Sequence, residues 1–147
     1  MCEEIRKTVS RSAEDTFSFG EAMAAQAQPG TVITLNGDLG AGKTVFAQGF
    51  AKGLGVSDYV NSPTFTILQI YEDGRLPLYH FDVYRIADPE EMDEIGFDDY
   101  IYGDGVSLIE WAALIDEILP AKRIDVTISR MDGHGDNERL ICVEYRE

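Results

Sequence analysis

Basic residues are scarce in this chain. Its 12 Lys and Arg face 27 Asp and Glu, a formal net charge of −15. From Ile86 to Ala121 there is no Lys or Arg at all, whereas Asp and Glu recur throughout that stretch. A protein that grips nucleic acid by itself needs a basic footprint to neutralise phosphates, so direct tight binding of RNA or DNA is not expected. The acidic stretch reads as a solvated face, with a docking surface for a basic partner as the sharper alternative.

Long apolar runs are also missing, so no segment is expected to span a bilayer. The start, Met1-Cys2-Glu3-Glu4, is acidic and lacks the apolar core of a signal peptide, which points to the cytoplasm. Only two cysteines occur, Cys2 and Cys142, at opposite ends and without ligand spacing. They read as free thiols in a reducing compartment, Cys142 within a buried strand. The two histidines, His80 and His134, offer no metal spacing, and His80 reads as a satisfied strand residue. No N-K-x-D guanine motif exists, which removes a GTPase reading of Asp132-Gly133-His134-Gly135.

What the chain does have is Gly37-Asp38-Leu39-Gly40-Ala41-Gly42-Lys43-Thr44, a full match to G-x-x-x-x-G-K-[ST]. Glycines at those positions let backbone N–H groups turn inward on phosphate oxygens. Lys43 is placed to reach the β- and γ-phosphates, and the Thr44 hydroxyl to bind Mg²⁺. Chance would supply the pattern in roughly one chain of this size in a few hundred. The context is the required one. A β-branched run, Thr31–Leu35, precedes it; behind it Phe46, Phe50 and Leu54 recur every four residues until Gly55. The N-terminal N–H groups of that helix add to the anion site.

Around this unit the remaining elements fall into place. Ile5–Val9 reads as a first strand, and Ser12 starts a helix to about Gln28 with Asp15 three residues on. Thr64–Tyr71 and Leu76–Tyr84 form a hairpin around Asp73-Gly74, and Pro89 to about Tyr100 is an acidic helix. Val106–Ile109 is a central strand ending at Glu110, followed by a helix from Ala112 to Leu119. Ile124–Arg130 and Arg139–Tyr145 make a hairpin on the sheet edge. The 147 residues are expected to form a single α/β domain with a mixed sheet, large enough for a core without disulfides or metals.

A nucleoside triphosphate site also needs carboxylates for Mg²⁺ and for the attacking water. Glu110, at the end of an apolar strand, lies where ligands of open α/β sheets collect. Asp82 shares a strand face with His80 and Tyr84. Buried among aromatics it needs a partner, either Arg85 or a metal. Asn61-Ser62-Pro63-Thr64-Phe65 is either a proline turn or a switch loop whose Thr64 senses the γ-phosphate. Trp111, the only tryptophan, sits beside Glu110.

In that order, the glycine loop, Ser62-Pro63-Thr64-Phe65, His80-Phe81-Asp82-Val83-Tyr84-Arg85 and Ile109-Glu110-Trp111 closely resemble the TsaE (YjeE) family of small P-loop ATPases. The resemblance covers about residues 8–120. It implies a three-layer P-loop NTPase-like domain whose central sheet is mixed, mostly parallel and flanked by helices. It also implies a cytoplasmic ATPase of tRNA N6-threonylcarbamoyladenosine synthesis that uses ATP and Mg²⁺. Such a protein supports repeated turnover of a TsaD–TsaB complex without transferring the group itself, and meets tRNA only through that complex.

Carried onto this chain, residues Gly37 to Thr44 bind the nucleotide with Trp111 adjoining. Thr44, Asp82 and Glu110 serve the metal, and Lys43, Thr64, Asp82 and Glu110 serve hydrolysis. One departure is Ala112-Ala113, where the family often has Pro after Glu-Trp; Ala also suits a first helical turn. The competing expectation is a nucleotide-dependent docking module without productive hydrolysis. A small-molecule kinase is disfavoured, because an Arg-rich lid and acceptor domain have no room here.

Overall fold

The computed structural model describes residues 4–37, 42–57, 60, 67–131 and 137–146. Asp38, Leu39, Gly40 and Ala41 of the glycine loop, Thr64 and its neighbours, Cys2 and His134 lie outside these residues.

Strand β1 (Glu4–Ser10) leads into helix α1 (Ala13–Gln26). Ser12 caps that helix by accepting the Asp15 N–H at 3.1 Å, and Asp15 reaches back to the Arg11 N–H. The Ser12 cap is the one the Ser-x-x-Asp spacing predicts, while Asp15 takes the N–H one residue before the cap instead of that of Ser12. Then follow β2 (Val32–Asn36), α2 (Lys43–Gly53), β3 (Leu68–Tyr71) and β4 (Leu78–Asp82). Two short helices, α3 (Glu91–Glu94) and α4 (Phe97–Ile101), precede β5 (Val106–Glu110). A 3₁₀ helix, Ala112–Ile118, and strands β6 (Arg123–Arg130) and β7 (Arg139–Arg146) complete the chain.

The seven strands form one sheet in the order β1-β7-β6-β2-β5-β4-β3. Strands β6, β2, β5 and β4 are parallel neighbours, while β7 is antiparallel to both β6 and β1, and β3 to β4. Five of the seven strands therefore run the same way, which makes the sheet mixed and mostly parallel. Alternation along the strands divides the core in two. Ile33, Leu35, Leu108 and Val126 face α1 and α2, with Phe46, Phe50 and Leu54. Val32, Phe81 and Ile109 face the other way, onto Met92, Phe97, Ile101 and Ile115. Three layers result, as expected.

Helices α1 and α2 meet through glycines. A Cβ on Gly20 would lie 2.5 Å from the Phe46 carbonyl oxygen, one on Gly49 2.0 Å from that of Phe17, and one on Gly53 2.6 Å from that of Glu21. Backbone packs directly on backbone along this seam.

Four expectations need correction. The acidic helix from Pro89 to Tyr100 is two helices, because Gly96 adopts φ 77° between them. The segment after Trp111 is 3₁₀ rather than α, kinked at Ile115 (φ −122°). The C-terminal hairpin is not at the edge, because β6 pairs with β2 and β1 covers β7. Cys142 is a free thiol on β7 but only half-buried, since it lines an open cavity between the sheet and the 3₁₀ helix.

Candidate functional site

The strand–loop–helix unit supplies the frame. β2 is buried on both faces and ends at Asn36, whose side-chain amide donates to Thr34 Oγ1 and to the Val126 carbonyl. Gly37 follows with φ 142°, and a Cβ there would stand 2.2 Å from the Ile128 carbonyl oxygen. Gly42, at the far side of the loop, has φ 109° and sits at the N-cap of α2. Both described glycines of the motif thus hold backbone conformations that side chains resist, as an inward-turning phosphate cradle requires. No side chain of the described residues caps α2, and a helix N-terminus of this kind offers its first N–H groups to an anion.

Lys43 and Thr44 open that helix. Thr44 is exposed, whereas Lys43 is buried and its ammonium lies 4.1 Å from the centre of the Trp111 ring. A cation over an indole face is held by the ring quadrupole and gains strength when desolvated. Trp111 also packs on Tyr84, ring centres 4.9 Å apart. It occupies the left-handed region (φ 62°), which turns the chain directly from β5 into the 3₁₀ helix.

The carboxylates arrive from the C-terminal ends of two neighbouring strands. Asp82 and Glu110 are the last residues of β4 and β5 and stand opposite each other in the parallel register. They belong to the α2 face, by alternation with Leu78 and Leu108. Both are buried, Asp82 at 2% exposure and Glu110 at 3%. Asp82 accepts the Tyr84 N–H at 3.0 Å, and its own N–H donates to the Ile67 carbonyl at 2.8 Å. Ile67 has φ 67°, a costly conformation for a β-branched residue. Among the described residues, Ile67 and Trp111 are the two non-glycine positions with positive φ, and both border this site.

His80 is not fully satisfied. Its Nε2 lies 2.7 Å from Glu110 Oε2, while its buried Nδ1 has no hydrogen-bond partner among the described residues. The pairing joins residues thirty apart in sequence, so the strand pattern could place His80 on the Asp82 face but could not reveal its partner.

The residues present suit a magnesium–nucleotide pair. Mg²⁺ takes hard oxygen donors and is usually held by one or two carboxylates together with substrate phosphates. Thr44, Asp82 and Glu110 offer such oxygens. Among the described residues no cluster of three or more His, Cys, Asp or Glu could hold a metal ion.

Comparison with known proteins narrows the family. The family model for "Threonylcarbamoyl adenosine biosynthesis protein TsaE" matches residues 10–141. A Bacillus subtilis relative, tRNA threonylcarbamoyladenosine biosynthesis protein TsaE, is 55% identical over 87% of this chain and 78% of its own length. The Treponema pallidum relative of the same name is 42% identical over 92% of this chain and 99% of its own. A crystal structure of Bacillus subtilis YdiB superimposes with TM-score 0.85 at 44% identity, covering all of this chain and 89% of that one. The chain belongs to the TsaE family, which takes part in tRNA threonylcarbamoyladenosine biosynthesis.

Proposed function

We propose that the chain binds ATP with Mg²⁺ and hydrolyses it slowly, in the cytoplasm, as a partner-coupled component of threonylcarbamoyladenosine synthesis. The observation that carries this reading is the convergence of buried Lys43, Asp82 and Glu110 at the C-terminal ends of β4 and β5, beside the N-terminus of α2. Residues Gly37 to Thr44 would cradle the phosphates, with Lys43 on the β- and γ-phosphates and Trp111 adjoining. Mg²⁺, held by Thr44, Asp82 and Glu110, would neutralise charge on the transferring phosphoryl group. Glu110 would position the attacking water, and Thr64 would sense the γ-phosphate.

The partner is a TsaD–TsaB complex, whose repeated turnover the ATPase sustains without transferring the group itself. The net charge of −15 supports contact with tRNA only through that complex. The test is Mg²⁺-dependent ATP hydrolysis with and without reconstituted TsaD–TsaB and tRNA, using Lys43→Ala and Glu110→Gln as controls. Hydrolysis that rises with the complex and is lost in both variants is expected. A Glu110→Gln protein that binds ATP and still supports multiple rounds of modification would instead make the protein a docking module.

A further inference from the structure

We infer that His80 is a positioning residue that fixes the orientation of the Glu110 carboxylate. The inference rests on the hydrolytic role proposed for Glu110.

The chemistry of the pair defines the direction of the hydrogen bond. A carboxylate only accepts, so the imidazole donates from Nε2 to Glu110 Oε2 across 2.7 Å. A carboxylate has two oxygens and about four lone-pair sites, so this bond leaves Glu110 with accepting capacity for a water or a metal ion. It also removes rotational freedom from a side chain at the last position of a strand. The next residue, Trp111, leaves the strand in a left-handed conformation.

The surroundings of His80 argue against a packing role. It is 1% exposed and stands opposite Leu108 in the β4–β5 register, on the face that carries Leu78 and Leu108 in the core. An aliphatic residue would fill that place without polar atoms. His80 instead keeps a buried Nδ1 that finds no partner among the described residues, which carries the desolvation penalty of an unmade hydrogen bond. Its Nε2 bond goes to the candidate catalytic carboxylate. Outer groups that orient functional carboxylates in this way typically change affinity or activity by 10–100-fold when removed.

The experiment compares the full chain with His80→Leu, His80→Gln and Glu110→Gln in ATP hydrolysis. His80→Leu should lower kcat about 10–100-fold while leaving the KM for ATP unchanged. His80→Gln should recover most of that loss, because its amide N–H can donate to the same oxygen. If the Leu variant does not fold, His80→Asn, whose amide stops short of Glu110, takes its place. In crystal structures the Glu110 carboxylate should leave its position in His80→Leu and keep it in His80→Gln. Parental turnover in His80→Leu, equal loss in the Leu and Gln variants, or an unmoved Glu110 would overturn the inference. A parent without Mg²⁺-dependent hydrolysis would defeat the functional proposal instead, and the position of Glu110 alone would then decide the role of His80.

Discussion

Replacing Gly49 by Ala is the sharpest probe of the helix seam behind the candidate site. The new methyl would lie 2.0 Å from the Phe17 carbonyl oxygen and 2.8 Å from its carbonyl carbon, all backbone that no side-chain rotation can clear. Ordinary contact begins near 3.4 Å, so α1 and α2 must part by about 1.4 Å, the difference between 3.4 and 2.0. Overpacking of this kind costs about 1–3 kcal/mol or more. The separation also opens a gap over Phe46 and Phe50, and a gap of even 0.5–1 Å forfeits roughly a quarter to a half of the dispersion there. Against this, Ala returns about 1 kcal/mol of helix propensity. The expected net loss is about 2–3 kcal/mol, or roughly 5–10 °C in Tm. Thermal and urea unfolding followed by circular dichroism would measure it, with an unchanged m-value showing that the comparison is sound. Because α2 begins at Lys43, nucleotide affinity should fall in the same protein. A Gly49→Ala variant more stable than the parent by its helix propensity would refute the close backbone approach.

Three further outcomes are expected. Lys43→Ala should weaken ATP binding by about 1.5–3 kcal/mol for each charge-assisted hydrogen bond lost, measured by calorimetry; unchanged affinity would remove the phosphate-loop assignment. Ser12→Ala should destabilise the fold by about 0.5–2 kcal/mol through the loss of the bond to the Asp15 N–H, read from urea titration; no change would mean the cap contributes nothing. Asp125 is pushed up by burial, but hydrogen bonds from Thr34 and Arg146 and the charge of Arg123 more than offset this, holding it below 3.8. Its contribution is therefore fully present above the unfolded value and is lost as pH falls through the lower folded value. An Asp125→Asn protein should show a shallower loss of stability below about pH 4 than the parent, and an identical acid profile would contradict that linkage.

The parts of the fold legible in the sequence were those governed by local chemistry. Thr31–Leu35 announced β2, and the glycine motif with Phe46, Phe50 and Leu54 announced α2, because strand and helix periods are written in neighbouring residues. The capping pair at Ser12 and Asp15 was equally local. Gly96 was harder. A single glycine is tolerated in helical patterns, and only its positive φ in the folded chain separates α3 from α4. The place of the C-terminal hairpin depended on whether another strand would cover it, and β1 does so from the opposite end of the chain. At the site, Lys43, Thr44, Asp82, Glu110 and Trp111 were each readable, Glu110 from its strand end and Asp82 from its alternation. The contact of Lys43 with Trp111, the bond of His80 to Glu110 and the meeting of Gly20 with α2 are tertiary facts, carrying no signal in residue spacing.

The pairing of β1 with β7 sets an order on how this molecule is made. Glu4 stands opposite Tyr145 and Ser10 opposite Arg139, so β1 can find its partner only when β7 has been synthesised. The central strand β2 waits as well, for β5 on one side and β6 on the other. Contacts this distant in sequence slow folding, because loop closure must precede their reward. During synthesis β1 and β6 must therefore persist without this sheet neighbour until β7 emerges. A nascent chain truncated before Arg139 would leave β1 without an edge to join and β6 open on one side. Completion of the sheet thus waits for Arg139–Arg146.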